Sequence, residues 1–111
     1  MSQKIAITGM GIISSIGNNV EENFISLTTG KHGISDIEMF ETRHKGTIKT
    51  GEIKLSNEEL VQKLQLSEDN NATRTTLLGM IAAKEAVESA EISDINEYKT
   101  GLISSTSVGG M

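Results

Sequence analysis

One stretch near the end of the sequence limits the folds that this chain can adopt. Residues 74–90, RTTLLGMIAAKEAVESA, repeat with the period of a helix. The helix is mostly apolar, and its narrow polar sector consists of Lys84, Glu85 and Glu88. The opposite side carries only small residues: Gly79, Ala82, Ala83, Ala86 and Ala90. Such a side lets another helix or a sheet approach the helix backbone closely, so the pattern predicts a central, buried helix that contributes architecture and no chemistry.

Three other segments have strand-like patterns. Residues 100–108 contain GLISSTSV, which is typical of a buried strand and leads to a Gly-Gly pair. KIAIT at residues 4–8 predicts a second buried strand. TIKTGEIK at residues 47–54 alternates imperfectly across Gly51, which predicts an edge strand with a bulge.

Two further helices are predicted from their termini. VEENFISLT follows the candidate N-cap Asn19 and ends before Gly30. Ser56 and Glu59 form the pattern of a capping box at the start of a helix to about residue 66. Residues 31–45 show no period and are interpreted as an irregular surface segment. This order of strands and helices predicts an α/β fold in one unit, residues 1–111, with a mostly parallel or mixed sheet around the central helix.

The composition excludes several classes of function. A net charge of -5 with scattered basic residues argues against a nucleic-acid partner. No apolar run reaches the roughly 20 residues that cross a bilayer, and MSQKIAITG lacks the core of a secretory signal, so we expect a cytosolic protein without a membrane partner. The sequence has no cysteine, and its two histidines, His32 and His44, lack metal-ligand spacing. We therefore predict no metal site and no cofactor.

A glycine-rich motif follows the first predicted strand. Gly9-Met-Gly11-Ile-Ile-Ser14 resembles the dinucleotide fingerprint, with serine in place of its third glycine. The fingerprint requires a helix that opens directly at the third glycine and an acidic residue at the end of the next strand. Neither is present in the pattern. A small nucleotide-binding α/β domain therefore stays a minor alternative.

Hydroxyl side chains cluster on the last predicted strand, at residues 104–107, before Gly109 and Gly110. A serine nucleophile needs a base within hydrogen-bond reach and a strained turn, and the sequence shows neither. Small residues here fit tight packing. The Gly-Gly pair could form either a plain turn or the edge of a pocket at the carboxyl end of a parallel sheet.

Three motifs together resemble the β-ketoacyl-acyl-carrier-protein synthases. ITGMGIISSIGNNVEENFISLTTGKHGIS is similar to the opening of that family, RTTLLGMIAAKEAVESA to its central helix, and TGLISSTSVGGM to its strand that ends in Gly-Gly. The motifs cover nearly the whole chain in the order and spacing of the family. Ser15 stands where the family commonly has proline, and Ala72-Thr73-Arg74 stands where many members have an Asp-Arg pair.

The resemblance implies a partial thiolase-like fold, the first part of an α-β-α-β-α half. Residues 1–111 would be an incomplete N-terminal part of a ketosynthase N-terminal domain. The family's nucleophilic cysteine and its histidines would lie beyond Met111, so no catalytic residue is assigned. The substrate-binding residues that the resemblance implies are Val108, Gly109 and Gly110, at the wall of the acyl pocket.

For the parent protein, the resemblance implies condensation of acyl groups with malonyl-acyl-carrier protein in fatty acid, polyene or polyketide synthesis. The implied partners are acyl carrier protein, acyl thioesters and a second subunit in a homodimer or heterodimer. A non-catalytic subunit similar to a chain-length factor is the alternative. We expect the chain alone to be inactive and to self-associate.

Overall fold

The structure, a computed structural model, describes residues 2–108. These residues form three helices and two strands. The helices are α1 (Val20–Thr29), α2 (Asn57–Leu64) and α3 (Arg74–Ser89). The strands are β1 (Ile34–Asp36) and β2 (Lys49–Gly51). Helices and a small sheet in one chain agree with the predicted α/β class.

Helices α2 and α3 pack against each other and enclose the most buried apolar side chains. Leu60 of α2 and Leu77 of α3 are fully buried. The predicted capping box is present: the Ser56 hydroxyl accepts a hydrogen bond from the Glu59 amide at 3.2 Å, and the Glu59 carboxylate accepts one from the Ser56 amide at 2.7 Å. The side chain of Thr73 caps α3. Both helices thus begin where local capping chemistry places them.

Helix α3 is less covered than the central, buried helix that the sequence pattern predicts. Leu77 is its single buried residue, whereas Gly79, Met80 and Ala83 are exposed. The reason is that α2 covers one side of α3 and a loop covers another, and no further layer lies over the rest in residues 2–108. The prediction of a central buried helix is therefore not confirmed within the described residues.

Helix α1 has the predicted ends but buries the polar side. Asn19 accepts a hydrogen bond from the Glu22 amide at 2.8 Å, and Gly30 ends the helix in the left-handed conformation with φ of 71°. The buried residues are Asn23 and Ser26. The apolar side chains at helical spacing lie outside: Phe24, Ile25 and Leu27 are exposed. Polar contacts to the preceding loop, described below, turn the helix in this way.

The sheet of the described residues is antiparallel and two-stranded, so the predicted parallel or mixed sheet is not formed there. Ile34 pairs with Gly51, and Asp36 pairs with Lys49. The side chains of Asp36 and Lys49 form an ion pair at 2.7 Å. β1 lies inside the segment that the sequence indicated as irregular. β2 lies within the predicted edge strand but ends at Gly51.

The two predicted buried strands, residues 4–8 and 100–108, do not form strands in the described chain. Their apolar side chains are exposed, with Ile5 at 95% and Ile103 at 100% exposure. A strand needs neighbouring strands to satisfy its backbone groups and cover its faces. Neither segment joins a sheet within residues 2–108, which is why the apolar pattern alone does not produce strands here.

Candidate functional site

The loop that precedes α1 lies across α3, with its backbone against the backbone of the helix. A Cβ atom at Gly9 would be 2.2 Å from the carbonyl oxygen of Ala86, and one at Gly11 would be 1.9 Å from that of Ala82. No side chain fits at such distances, so both positions require glycine. The prediction that small residues of α3 permit a close approach is confirmed at Ala82 and Ala86. The approaching segment is a loop and not a helix or a sheet.

Two polar side chains of α3 bind backbone amides of this loop. The carboxylate of Glu85 accepts a hydrogen bond from Ile12 at 2.9 Å and one from Val20 at 2.7 Å. The hydroxyl oxygen of Ser89 accepts one from the Met10 amide at 2.9 Å. Hydrogen bonds to a charged acceptor are about twice as strong as those between neutral groups. Helix α3 therefore fixes both the loop and the first residue of α1.

This arrangement argues against a dinucleotide site at the glycine-rich motif. In such a site, the glycines let the backbone approach a pyrophosphate, which binds amides at a helix N-terminus. Here the Cβ positions of Gly9 and Gly11 point at α3. The amides of Ile12 and Val20 already bind the carboxylate of Glu85. The loop is thus a packing element that holds an anion of its own chain.

A second set of polar contacts joins the loop to α1. The buried Asn23 donates from Nδ2 to the carbonyl oxygen of Gly17 at 3.0 Å and accepts a hydrogen bond from the Ser14 hydroxyl. The buried Ser26 donates to the carbonyl oxygen of Ile16 at 2.6 Å. These contacts give the carbonyl oxygen of Ile16 a partner and add a second hydrogen bond to that of Gly17, which also accepts one from the Ser14 amide at 2.8 Å. The Ser14 hydroxyl is bound to an amide oxygen and has no base to activate it there.

Glu52 joins the segment after β1 to the end of β2. Its carboxylate, 9% exposed, accepts hydrogen bonds from the amides of Glu38 at 2.8 Å and Met39 at 3.2 Å, and from Lys54 Nζ at 3.0 Å. The hydrogen bond from the Glu38 amide is the largest cause that lowers the pKa of Glu52, burial opposes it, and Lys54 adds to it. Glu52 is therefore a charged structural group and not a general acid.

Comparison with known proteins gives the family. The model of the beta-ketoacyl synthase N-terminal domain matches residues 2–111. The chain belongs to the beta-ketoacyl synthase family. The chain is 33% identical over 113 positions to 3-oxoacyl-[acyl-carrier-protein] synthase 2 of Staphylococcus aureus (strain COL). The aligned region covers 99% of the chain and 27% of that relative. The chain is also 34% identical over 109 positions to 3-oxoacyl-[acyl-carrier-protein] synthase 1 of Haemophilus influenzae. That aligned region covers 96% of the chain and 26% of the relative.

The ketosynthase resemblance that the sequence motifs indicate is thus confirmed at the level of the family. The chain spans about a quarter of the length of the curated relatives it matches. No solved structure matches the chain significantly.

The substrate-binding residues implied by the ketosynthase resemblance lie at the end of the chain. Val108 belongs to no helix or strand, and it is 69% exposed. Gly109 and Gly110 lie outside the described residues. The assignment of these three residues to an acyl pocket stays a prediction.

Groups for ketosynthase chemistry are not assembled within residues 2–108. No serine hydroxyl in this range hydrogen-bonds to either histidine, and the Nε2 atom of His44 accepts a hydrogen bond from Arg43 at 3.3 Å. Among the same residues, no three histidine, aspartate or glutamate side chains form a group that could hold a metal ion. No helix in the described part of the chain has the length and hydropathy that crossing a membrane requires.

The residues that organise this part of the ketosynthase chain, above all Glu85, are not evident from the helical pattern. In that pattern Glu85 shares one polar sector with Lys84 and Glu88. A usable signal was present, because Glu85 lies three residues after Ala82 and four before Ser89, and therefore borders the side of small residues. Where a helix side of small residues lies against another backbone, a carboxylate at its border can accept hydrogen bonds from the amides of that backbone.

Proposed function

We propose that the chain is the N-terminal part of a longer ketosynthase, an acyltransferase that condenses acyl groups with malonyl-acyl-carrier protein. The observation that supports this proposal is the family match over residues 2–111. Identities of 33% and 34% to two 3-oxoacyl-[acyl-carrier-protein] synthases agree with it. Because the chain spans only 27% and 26% of these relatives, the reaction is assigned to the parent protein and not to the chain alone.

The reaction of the parent begins with covalent catalysis. A cysteine thiolate attacks the acyl-carrier thioester, forms an acyl-enzyme thioester and releases the carrier thiol. Malonyl-carrier then loses carbon dioxide, and histidines stabilise the enolate that remains. The enolate carbon attacks the acyl-enzyme carbonyl, and the cysteine leaves as a thiolate. The 111-residue chain contains no cysteine, so it supplies no nucleophile to these steps.

In the parent, this part of the chain acts as scaffold and as one wall of the acyl pocket. Residues 1–111 form the first part of a thiolase-like N-terminal half, in which segments 4–8 and 100–108 become strands of a larger sheet. The exposure of Ile5, Ile7, Leu102 and Ile103 supports this assignment, because these apolar side chains have the surface that such a sheet covers. Val108 then lies at the carboxyl end of its strand with Gly109 and Gly110, where ligands bind in parallel sheets.

The partners of the parent are acyl carrier protein and acyl thioesters, and the parent assembles as a homodimer or heterodimer in the cytosol. It requires no cofactor for the reaction described above. Fatty acid, polyene and polyketide synthesis all use this condensation.

The decisive experiment uses the full-length parent protein. It is incubated with acyl-carrier and malonyl-carrier thioesters, and the products are analysed by mass spectrometry. We expect an acyl adduct on a cysteine and formation of a β-ketoacyl-carrier product. A variant with that cysteine changed to alanine serves as the control and forms neither. A full-length parent that has no such cysteine and no condensing activity would overturn the proposal in favour of a non-catalytic subunit similar to a chain-length factor.

The 111-residue chain provides a second experiment. Incubation with an acyl-thioester donor followed by intact-mass analysis should show the unmodified mass, because an unactivated serine hydroxyl is a poor nucleophile. A stoichiometric adduct mapped to Ser104, Ser105 or Ser107 would contradict the scaffold role.

A further inference from the structure

Two backbone amides from different parts of the chain converge on one carboxylate. Ile12 donates to Oε2 of Glu85 at 2.9 Å, and Val20 donates to Oε1 at 2.7 Å. Val20 is the first residue of α1, where free amides and the helix dipole favour a negative charge. Two nearby amides have local partners: the Asn18 amide, before α1, donates to the Glu22 carboxylate at 2.7 Å, and the Glu22 amide donates to the Asn19 side chain at 2.8 Å. Ile12 and Val20 donate to Glu85 instead.

The position of these amides does not depend on Glu85 alone. Gly9 and Gly11 lie against the backbone of α3, and the Met10 amide is bound by Ser89 at 2.9 Å. On the other side, Asn23 holds the loop to α1 through Gly17. The loop therefore stays near α3 when the side chain at residue 85 is shortened, and the two amides then lack an acceptor.

A small anion can reach this place from solvent. An open groove of about 410 Å³ is lined by Ile7, Met10, Val20 and Glu85. Truncation of Glu85 to alanine removes a carboxymethyl group, which a formate or acetate ion can replace in volume and in charge. The Val20 amide is partly buried, and a partly buried amide without an acceptor carries a free-energy cost, which favours such replacement.

We propose that the amides of Ile12 and Val20 form a carboxylate-binding site in which Glu85 is the built-in ligand. Glu85 is thus a positioning residue that acts together with the Gly9 and Gly11 packing and with Ser89 to hold the loop and the start of α1 on α3. When its side chain is shortened, the site binds a small external carboxylate. This inference rests on the geometry of the chain and is independent of the proposed enzymatic function.

Hydrogen–deuterium exchange with mass spectrometry tests the inference on the 111-residue chain. The variants are Glu85→Ala and the control Glu88→Ala, because Glu88 lies on the same helix with 66% exposure and only a 3.9 Å ion pair to Lys84. The readout is the exchange rate of peptides that cover residues 10–20. Glu85→Ala should exchange roughly tenfold faster or more, as expected from the loss of a hydrogen bond to a charged acceptor, and Glu88→Ala should match the wild type.

Sodium formate is then added at constant ionic strength, with sodium chloride as the reference salt. In Glu85→Ala, formate should restore slow exchange with a saturating dose dependence, whereas wild type should not respond. Unchanged exchange in Glu85→Ala, or equal effects of formate and chloride, would overturn the inference.

If Glu85→Ala loses helical structure, two further measurements keep the test decisive: circular dichroism of Glu85→Ala in formate, and hydrogen exchange of a second variant, Glu85→Gln. Recovery of helical circular dichroism in formate, but not in chloride, would support the site. Without recovery, Glu85→Gln decides, since its amide has one acceptor oxygen and should protect only one of the two amides, at Ile12 or Val20. Full protection of both amides in Glu85→Gln would refute the role of the carboxylate.

Discussion

The carboxylate of Glu52 accepts a hydrogen bond from the backbone amide of Glu38 at 2.8 Å, and this contact holds the segment after β1 against the end of β2. This hydrogen bond is the main reason why the pKa of Glu52 lies below its ordinary value. Because the folded-state pKa is lower than the unfolded one, Glu52 stabilises the fold at pH values above the unfolded pKa. This stabilisation is lost as the pH falls through the folded-state pKa.

We therefore predict that Glu52→Gln lowers the urea midpoint at neutral pH and that the difference from wild type shrinks on acidification. Urea unfolding followed by circular dichroism at several pH values measures this effect. Glu41→Gln is the matched control, because the exposed Glu41 side chain makes no hydrogen bond or ion pair among residues 2–108. An equal pH dependence in wild type and Glu52→Gln would show that the contact is not stabilising.

Two glycines near α3 should respond to alanine in opposite directions. A methyl group at Gly11 would clash with the backbone of Ala82, whereas a methyl group at Gly79 has no neighbour within 4 Å. Gly11→Ala should destabilise the chain by about 1–3 kcal/mol or more through overpacking. Gly79→Ala should stabilise it by about 1 kcal/mol, because alanine is the better helix former. Thermal unfolding of both variants at one protein concentration measures these changes, and shifts of Tm with the same sign would contradict the packing of this loop.

The helices were predictable because their signals are local. Asn19, Gly30, Ser56 and Thr73 act on backbone groups within a few residues, so the sequence around each helix determines its ends. The side that a helix buries is decided elsewhere. α1 turns Asn23 inward because the loop before it offers backbone groups as partners, and no period within α1 contains that information.

The strands were less predictable because each depends on a partner that is distant in sequence. β1 contains Ser35 and Asp36 and has no apolar alternation, yet it pairs with β2. Segment 4–8 has a strong apolar pattern but no neighbouring strand in the described chain. The contact of Glu85 with Val20 is non-local in the same sense, since it spans 65 positions. Family motifs, in contrast, could be recognised without any of these contacts.

Val108 provides a prediction for the full-length parent. Val108→Phe adds bulk where the acyl chain is proposed to pass, so long acyl primers should lose more kcat/KM than acetyl. A pocket discriminates by overlap with its walls, and each methylene is worth about 1–3 kcal/mol. Steady-state kinetics with a series of primer lengths measures the effect, and Val108→Ile, with a smaller increase in volume, should show a weaker trend. Equal losses for short and long primers would mean that Val108 is an ordinary packing residue.

The 111-residue chain should self-associate in solution. Ile5 and Ile103 are almost fully exposed, and Ile7 and Leu102 beside them are also exposed, in segments that do not pair within residues 2–108. Contiguous apolar surface and unpaired backbone groups favour contacts between chains.

Sedimentation velocity over a range of concentrations measures this association. Changing both Ile7 and Ile103 to lysine should shift the chain towards the monomer, because it places charges on both segments. Thr75→Lys is the control, since it adds a charge at an exposed position of α3 away from these segments. A wild-type chain that sediments as a monomer and unfolds in one sharp transition would contradict this prediction, because the exposed apolar segments would then remain in water without associating.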